Sequence, residues 1–401
     1  MKVLHVIPAV APRYGGPSRA IFEMGRALRQ QGIDVLVATT DADGAGHLAV
    51  ETGAARTYEG VPTIFFPRQV AETFGYSRPL ARWLAVHVRE FAVAHIHAVF
   101  SHPCLAAARA CRRHRVPYIV RPLGSLDPWS LRQKRWRKHV MWYGGIGRML
   151  HGAAAVHYTT SEEQQLAEQA LGLTNGFVTP LGVEVAEPWA TSARSSVLPP
   201  GIADDPYLLV LSRLHPKKNV ELLLDVFLTL TQRPEFTRWQ LVVAGDGETG
   251  YVNMLKQRAV AGSGRVIFTG WLDGAERTAL LRHAELLALT SRQENFGLCV
   301  VEALAHGVPV LISEQVNLAP EVSRARAGWV SPLNHTDLMR VLADALTDEA
   351  ERRMRGQSGR AFVASNYSWA TVAAKLARVY NSLTSDASAG VDNNLACPVG
   401  Y

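Results

Sequence analysis

Within its first forty residues the chain passes from an apolar run, Val3-Leu4-His5-Val6-Ile7, through Gly15-Gly16 to a face marked by Ile21, Met24 and Leu28, then to a second run, Val35-Leu36-Val37-Ala38. Short continuous apolar runs read as strands buried on both faces, and the spacing between them reads as an amphipathic helix. Strand, helix and strand in that order make a β-α-β unit, which places the chain in the α/β class. The paired glycines let the backbone come close to a ligand, and the helix opens with its positive dipole end toward that loop. In open α/β sheets this is where ligands bind.

The pattern continues through Ala94-His95-Ile96-His97-Ala98-Val99 and Pro117-Tyr118-Ile119-Val120-Arg121, then weakens between Glu184 and Asp205, a stretch rich in Pro, Ser and Ala. Residues 186–203 therefore read as a linker between domains. A second alternation starts with strands at Tyr207–Leu211, 241–243, 266–268, 286–289 and 308–312 and helices from Asn219 and about Gly297. The expectation is two doubly wound parallel sheets in series, over 1–185 and 204–366. Tyr367-Ser368-Trp369 leads into a helix over 367–384 that is expected to pack back on the N-terminal domain, and 385–401 reads as a disordered tail. A length of 401 residues suits two such domains.

With 48% hydrophobic and 19% charged residues the composition is that of a globular protein, neither disordered nor fibrous. No apolar run approaches the roughly 18–20 residues that span a bilayer, and Met1-Lys2-Val3-Leu4 runs into the first strand with no cleavable signal, so a cytoplasmic protein is expected. Cys104, Cys111, Cys299 and Cys397 form no metal or disulfide pattern. The net charge of +7 is concentrated, because residues 109–151 carry eleven Lys or Arg and one acid, Asp127. Such a patch favours a polyanionic partner.

The chemistry-bearing residues of the second domain lie in loops after strands. The segment from Ser291 to Ala303 places Glu294 and Glu302 eight positions apart across a loop-to-helix junction. With Glu294 in the loop and Glu302 in the helix, the two bracket an elongated ligand over the helix N-terminus. The backbone N–H groups of Asn295, Phe296, Gly297 and Leu298 then face its anionic part. The alternative is a pair of solvated carboxylates beside a buried helix. Upstream, Arg213 ends a strand and Lys218 sits five residues later at the mouth of a helix. A planar guanidinium fork with a point charge suits a diphosphate, against the alternative of ordinary surface cations. Ala244-Gly245-Asp246-Gly247 is a further turn at the same sheet edge, its glycines turn residues first and ligand contacts second.

Taken together, Ser212-Arg213 with Lys218-Asn219, Ala244-Gly245-Asp246-Gly247, Gly270, and Glu294 through Glu302 followed by Ala303-Leu304-Ala305-His306-Gly307-Val308-Pro309-Val310 resemble the retaining family 4 (group 1) glycosyltransferases. The resemblance covers nearly the whole chain, and the segment Arg121 to Trp129 is similar to bacterial exopolysaccharide and O-antigen members. It implies the GT-B fold, two Rossmann-like domains facing across a cleft. The implied reaction is transfer of a glycosyl group from a nucleotide sugar to an acceptor hydroxyl with retention, without a protein nucleophile, metal or other cofactor. Arg213 and Lys218 would hold the diphosphate and stabilise the leaving group, a task a divalent ion performs elsewhere. Glu302 would accept hydrogen bonds from the ribose hydroxyls and Glu294 would hold the transferred sugar. The Gly15-Gly16 loop, Gly245 and Asp246 would contribute to donor binding. His97, second of an H-x-H pair, would reach the sugar, completing a catalytic set of His97, Arg213, Lys218 and Glu294.

His95, His97 and His102 lack the accompanying acid of a zinc site, so no metal is expected. Asp41-Ala42-Asp43 reads as a polar turn. His102, Arg121 and Asp127 are acceptor-side candidates. Arg132, Lys134, Arg135, Trp136 and Lys138 lie in a stretch where basic and aromatic residues interleave, which suits an anionic membrane, the alternative being a solvated helix face. That reading fits a lipid-linked glycan acceptor and a peripheral location at the inner face of the plasma membrane. Nucleic acid is not expected, since no binding motif accompanies the patch. Two alternatives are a catalytically silent sugar-nucleotide-binding subunit of a polysaccharide assembly complex and a sugar-nucleotide epimerase, which can share the two-domain architecture but for which no set of acid and base carboxylates facing one sugar is found. The presence of Arg213, Lys218, Glu294 and Glu302 together favours the transferase.

Overall fold

The computed structural model describes residues 1–70, 74–185, 198–199, 201–202, 205–260, 264–272 and 274–392, with side chains as far as 385. It divides into two compact units, the first formed by Met1–Gly182 with the chain from Trp369 onward, the second by Val183–Ser368. Of the expected linker, residues 186–197, 200 and 203 lie outside the described residues.

In chain order the first unit runs β1 (Lys2–Ala9), α1 (Gly16–Gln30), β2 (Asp34–Thr40), a small hairpin of β3 (Ala42–Asp43) and β4 (Gly46–His47), β5 (Ala55–Tyr58), β6 (Val61–Phe66), α2 (Arg78–His87), β7 (Val93–His97), α3 (His102–His114), β8 (Tyr118–Arg121), α4 (Pro128–Arg132), α5 (Arg135–Met141), α6 (Gly147–His151), β9 (Ala155–Tyr158), α7 (Ser161–Leu171) and β10 (Gly176–Val178). The strands form one sheet in the order β10-β9-β8-β7-β1-β2-β6-β5, in which only β5 runs antiparallel to its neighbour. Helices cover both faces, so the inner strands are buried along their length, mostly with apolar side chains, and Ile21, Met24 and Leu28 of α1 are buried.

The second unit runs β11 (Tyr207–Leu211), α8 (Val220–Leu230), β12 (Gln240–Ala244), α9 (Thr249–Ala259), β13 (Val266–Gly270), α10 (Gly274–His283), β14 (Leu286–Leu289), α11 (Leu298–Ala305), β15 (Val310–Ser313), α12 (Ala319–Arg324), β16 (Gly328–Ser331), α13 (His335–Thr347) and α14 (Glu349–Asn366). Its six strands are all parallel, in the order β13-β12-β11-β14-β15-β16. Leu208, Val210, Phe227, Leu241, Leu286 and Leu342 sit in one apolar cluster between sheet and helices.

The last helix, α15 (Trp369–Asp392), belongs to the first unit and packs on α1. Trp369 Nε1 donates to Glu23 Oε2 at 3.1 Å, and a Cβ at Gly182 would lie 2.3 Å from the Trp369 ring. The expectation of a disordered tail from 385 is corrected over 385–392, which continue the helix. Residues 385 to 390, Ser-Asp-Ala-Ser-Ala-Gly, lack an apolar stripe, yet they extend an already nucleated helix at little cost per residue. Residues 393–401 lie outside the described residues.

Candidate active site

In the second unit, successive strands leave β11 toward β12 on one side and continue at β14 on the other. The carboxyl ends of β11 and β14 therefore flank the sheet's switch point, where neighbouring loops diverge and leave a crevice. The loop after β11 carries Arg213 and Lys218, and the loop after β14 carries Glu294 ahead of α11. The two loops are stitched together. Arg292 N donates to Lys217 O at 2.8 Å, Arg292 Nη2 to Asn219 Oδ1 at 2.8 Å, and Thr290 Oγ1 to Asn219 O at 3.2 Å. Asn219 is buried in a left-handed conformation that a short amide side chain tolerates, and it turns the chain into α8.

This framework brings Lys218 Nζ against Glu294 Oε2 as an ion pair, each side chain 18% exposed. Glu294 is held from behind, its N–H donating to Gln315 O at 3.1 Å and its C=O accepting from Asn317 N at 3.0 Å. Gly297, at φ 72°, is the N-cap of α11, so the helix's free N–H groups open beside Glu294. Asn295 and Leu298 share this turn, whereas the Phe296 side chain is buried against Tyr367 and leaves only its backbone for a ligand. Glu302, on α11, is paired with Arg277 from α10, the two side chains 12% and 21% exposed. Arg277 was not singled out from sequence, since it sits in a short helical stretch with no recognisable pattern. Half-buried Cys299 lies between the two glutamates, and desolvation pushes its thiol up to about 12, which removes it as a nucleophile at neutral pH.

The glycine turn after β12 has a structural cause. Gly245, at φ 139°, packs so closely on the β11 loop that a Cβ would lie 1.8 Å from Ser212 O, and one at Gly247 would lie 1.9 Å from Leu214 O. Asp246 is exposed and its carboxylate accepts from Gly247 N at 2.7 Å, closing the turn on itself. Arg213 is exposed at the same edge.

In the first unit the switch point lies between β1 and β7. Gly15, at φ 80° and ψ −148°, occupies a backbone region open essentially to glycine alone and is the N-cap of α1, with Gly16 the first helical residue. His97 ends β7 and is buried, its Nε2 3.0 Å from His5 Nδ1. His102, in the first turn of α3, is half-buried, accepts from Ser77 N at 3.2 Å, and is lowered from its ordinary range by burial. Two acceptor-side expectations meet a different environment. Asp127 is buried as the N-cap of α4, accepting from Ser130 N at 2.8 Å and Ser130 Oγ at 2.7 Å. Arg121 ends β8 with its guanidinium buried, lowered by desolvation to about 10. The hairpin Asp41-Ala42-Asp43 is internally satisfied: Asp41 accepts from Arg68 N at 2.7 Å and Asp43 pairs with Arg13 at 3.0 Å.

The basic stretch forms α4, α5 and the turn that follows. Trp136 is 69% exposed and Tyr143 76%, and Arg132, Lys134 and Arg135 are exposed beside them. Lys138 is a correction, because its ammonium turns inward, donating to Ser130 O and lying 4.8 Å from the Phe100 ring centre. Among the described residues no helix is long and apolar enough to cross a membrane.

Comparison with known proteins bears on this geometry. The family described as glycosyl transferases group 1 matches residues 199–362, and the glycosyl transferase 4-like domain matches 15–182. The chain is 29% identical to the mannosylfructose-phosphate synthase of Agrobacterium fabrum over 42% of its length and 39% of that protein's. It is 28% identical to the phosphatidyl-myo-inositol mannosyltransferase of Mycobacterium tuberculosis over 60% of its length and 63% of that protein's. The matches thus span 39–63% of these relatives. Among solved structures, Anabaena HepE, determined with UDP and glucose, superposes with a TM-score of 0.72 at 20% identity, covering 95% of this chain and 100% of that one.

Proposed function

Because the chain belongs to the family 4 (group 1) glycosyltransferases and has the GT-B fold, we propose that it is a retaining, metal-independent enzyme that moves a sugar from a nucleoside diphosphate to an acceptor hydroxyl. The observation that carries this reading is the meeting of Lys218 and Glu294 at the second unit's switch point, from loops separated by 76 residues, beside the N-terminus of α11. A cation, a carboxylate and free helix N–H groups in one crevice match the two ends of a sugar diphosphate.

The roles follow from charge. As the bond between the anomeric carbon and the diphosphate oxygen lengthens, negative charge builds on the phosphate, and Lys218, Arg213 and the α11 N–H groups stabilise it. Before the donor arrives, Lys218 is neutralised by Glu294 and Glu302 by Arg277, so neither carboxylate is left uncompensated. On binding, Lys218 turns to phosphate and Glu294 to the sugar's hydroxyls, while Glu302 accepts from the ribose. The UDP and glucose held by the Anabaena protein support a donor of this class.

The acceptor in this reading is a glycan carried on a membrane lipid, and the protein works peripherally at the cytoplasmic face. The exposed aromatic and basic side chains of α4, α5 and the turn that follows support that assignment, as does the relative named phosphatidyl-myo-inositol mannosyltransferase. Calorimetric titration with UDP, GDP, dTDP and ADP, without and with magnesium, tests the donor site. One nucleotide is expected to bind without metal, and Lys218→Ala to weaken it by about 100-fold or more, the worth of a charge-assisted contact of about 3 kcal/mol. Absence of binding to all four, with magnesium present, would overturn the transferase reading.

A further inference from the structure

The first unit holds a cluster that donor chemistry does not absorb. His5 on β1, His95 and His97 on β7 and His157 on β9 are buried, each 0–1% exposed, and Tyr380 of α15 is buried among them. Their rings pack in contact, His95 and His97 stacked with centres 4.3 Å apart. Burial, with the neighbouring Arg121 guanidinium adding to it, lowers His5 to about 3 and holds His95, His97 and His157 well below the ordinary imidazole range. All four are therefore neutral, and each has one N–H and one lone pair.

One backbone carbonyl then orients the set as far as Tyr380. His157 Nε2 lies 2.7 Å from Thr179 O, which can only accept, so Nε2 carries the proton and Nδ1 is bare. That Nδ1, 3.2 Å from His95 Nε2, accepts from it. His95 Nδ1 is thus bare and accepts from the Tyr380 hydroxyl at 2.8 Å. The Tyr380 proton being spent, its oxygen faces His5 Nε2 at 3.5 Å with lone pairs alone, which favours the proton on that nitrogen. His5 Nδ1 in turn accepts from His97 Nε2 at 3.0 Å.

We propose that this directional chain, running from Thr179 through His157, His95, Tyr380 and His5, holds His97 in a single tautomer, with its proton on Nε2 and its Nδ1 left as a lone-pair acceptor. Tyr380 and His5 are its positioning residues. A substrate group that meets His97 must then donate, which selects for a hydroxyl over a carbonyl or an unprotonated oxyanion. The functional half rests on His97 being a substrate contact. The tautomer half does not.

The chain also argues against the three-histidine grouping of His5, His95 and His97 as a metal site, although their nitrogens lie within 4.8 Å of one another. A metal needs lone pairs, and those of His5 and His95 are already engaged, with a buried cation alongside.

Nitrogen-15 NMR of histidine-labelled protein at pH 7.5 distinguishes the tautomers. The four buried imidazoles are expected to show the Nε2–H form without exchange, and any one found as Nδ1–H or as imidazolium overturns the chain. Tyr380→Phe keeps the ring and removes the hydroxyl, so His157 should hold its tautomer while the His5 and His97 signals become mixed. Turnover should then fall by about tenfold, the worth of one hydrogen bond, at unchanged donor KM. Shifted signals with unchanged turnover would overturn the role of His97 and leave the chain standing. Zinc added to the wild type should move none of these signals, and a shift on a one-to-one titration would mean that the cluster is a metal site instead.

Discussion

Glu294 is the residue on which the donor reading turns, since it compensates Lys218 when no ligand is present. Glu294→Gln removes the negative charge and keeps the shape, so it separates two roles that alanine would confound. Lys218 is released from its ion pair, and a nucleoside diphosphate alone is expected to bind several-fold more tightly by calorimetry. Turnover of the full donor should fall by about 100-fold, because the sugar loses a charged acceptor. Equal weakening of both would mean that Glu294 only supports the loop. Gly245 makes the opposite kind of claim, one about folding. Alanine there would force a Cβ to 1.8 Å from Ser212 O at φ 139°, so Gly245→Ala should destabilise by about 2–4 kcal/mol. A denaturant midpoint within error of wild type would show that the turn relaxes. Arg213, Lys218 and Glu294 stand out in the chain because each follows a strand or precedes a helix, and Glu302 because it lies eight positions after Glu294. Arg277 does not, since pairing with Glu302 is a tertiary event across 25 residues with no local mark.

At the scale of elements, alternation of apolar strands and amphipathic helices was enough to place four strands of the first sheet and five of the second, because a parallel strand covered on both faces leaves a mostly apolar run, but β6, β9, β10 and β16 were not picked out. The antiparallel edge strand β5 was missed, since Ala-Arg-Thr-Tyr is exposed over most of its length and has no buried face to pattern it. Lys138 was misread for a related reason. Charge in a sequence says nothing of direction, and here the side chain folds back over Phe100. The outward set that remains is Trp136 and Tyr143 with Arg132, Lys134 and Arg135, aromatic and basic side chains of the kind that suit an anionic membrane surface. Sedimentation with vesicles rich in anionic lipid should capture the wild type, with release as the Debye length shortens from about 10 Å at 0.1 M salt to about 3 Å at 1 M. Trp136→Ser with Tyr143→Ser should weaken capture at every salt concentration. Equal binding of the wild type to neutral vesicles would defeat the electrostatic part of the account.

For the molecule as a whole, acid is the condition that discriminates between its parts. A histidine whose folded value lies below its unfolded value of about 6.5 contributes stability above that pH and loses it as pH falls, because the unfolded chain takes up the proton first. Four buried imidazoles of the first unit are in that state, with His5 lowered to about 3 and the others well below their ordinary range, and half-buried His102 is lowered as well. In the second unit the corresponding group is His306, lowered to about 4 chiefly by burial. Each such group costs about 1.4 kcal/mol per pH unit once the unfolded form is charged, so the first unit stands to lose up to about 5 kcal/mol per unit below about pH 6. Carboxylates do not enter until roughly pH 4.5, which leaves a window from 6 to 4.5 in which histidine alone acts. Unfolding followed by hydrogen exchange across that window should show β1, β7 and β9 losing protection steeply and β11, β12 and β14 losing little. His157→Gln places an amide where the ring was and removes one titrating group, so the exchange slope of the first unit should fall by about a fifth to a quarter. A slope equal in both units would mean that the four imidazoles take up protons without unfolding, and that the neutral cluster is not what holds the first sheet together.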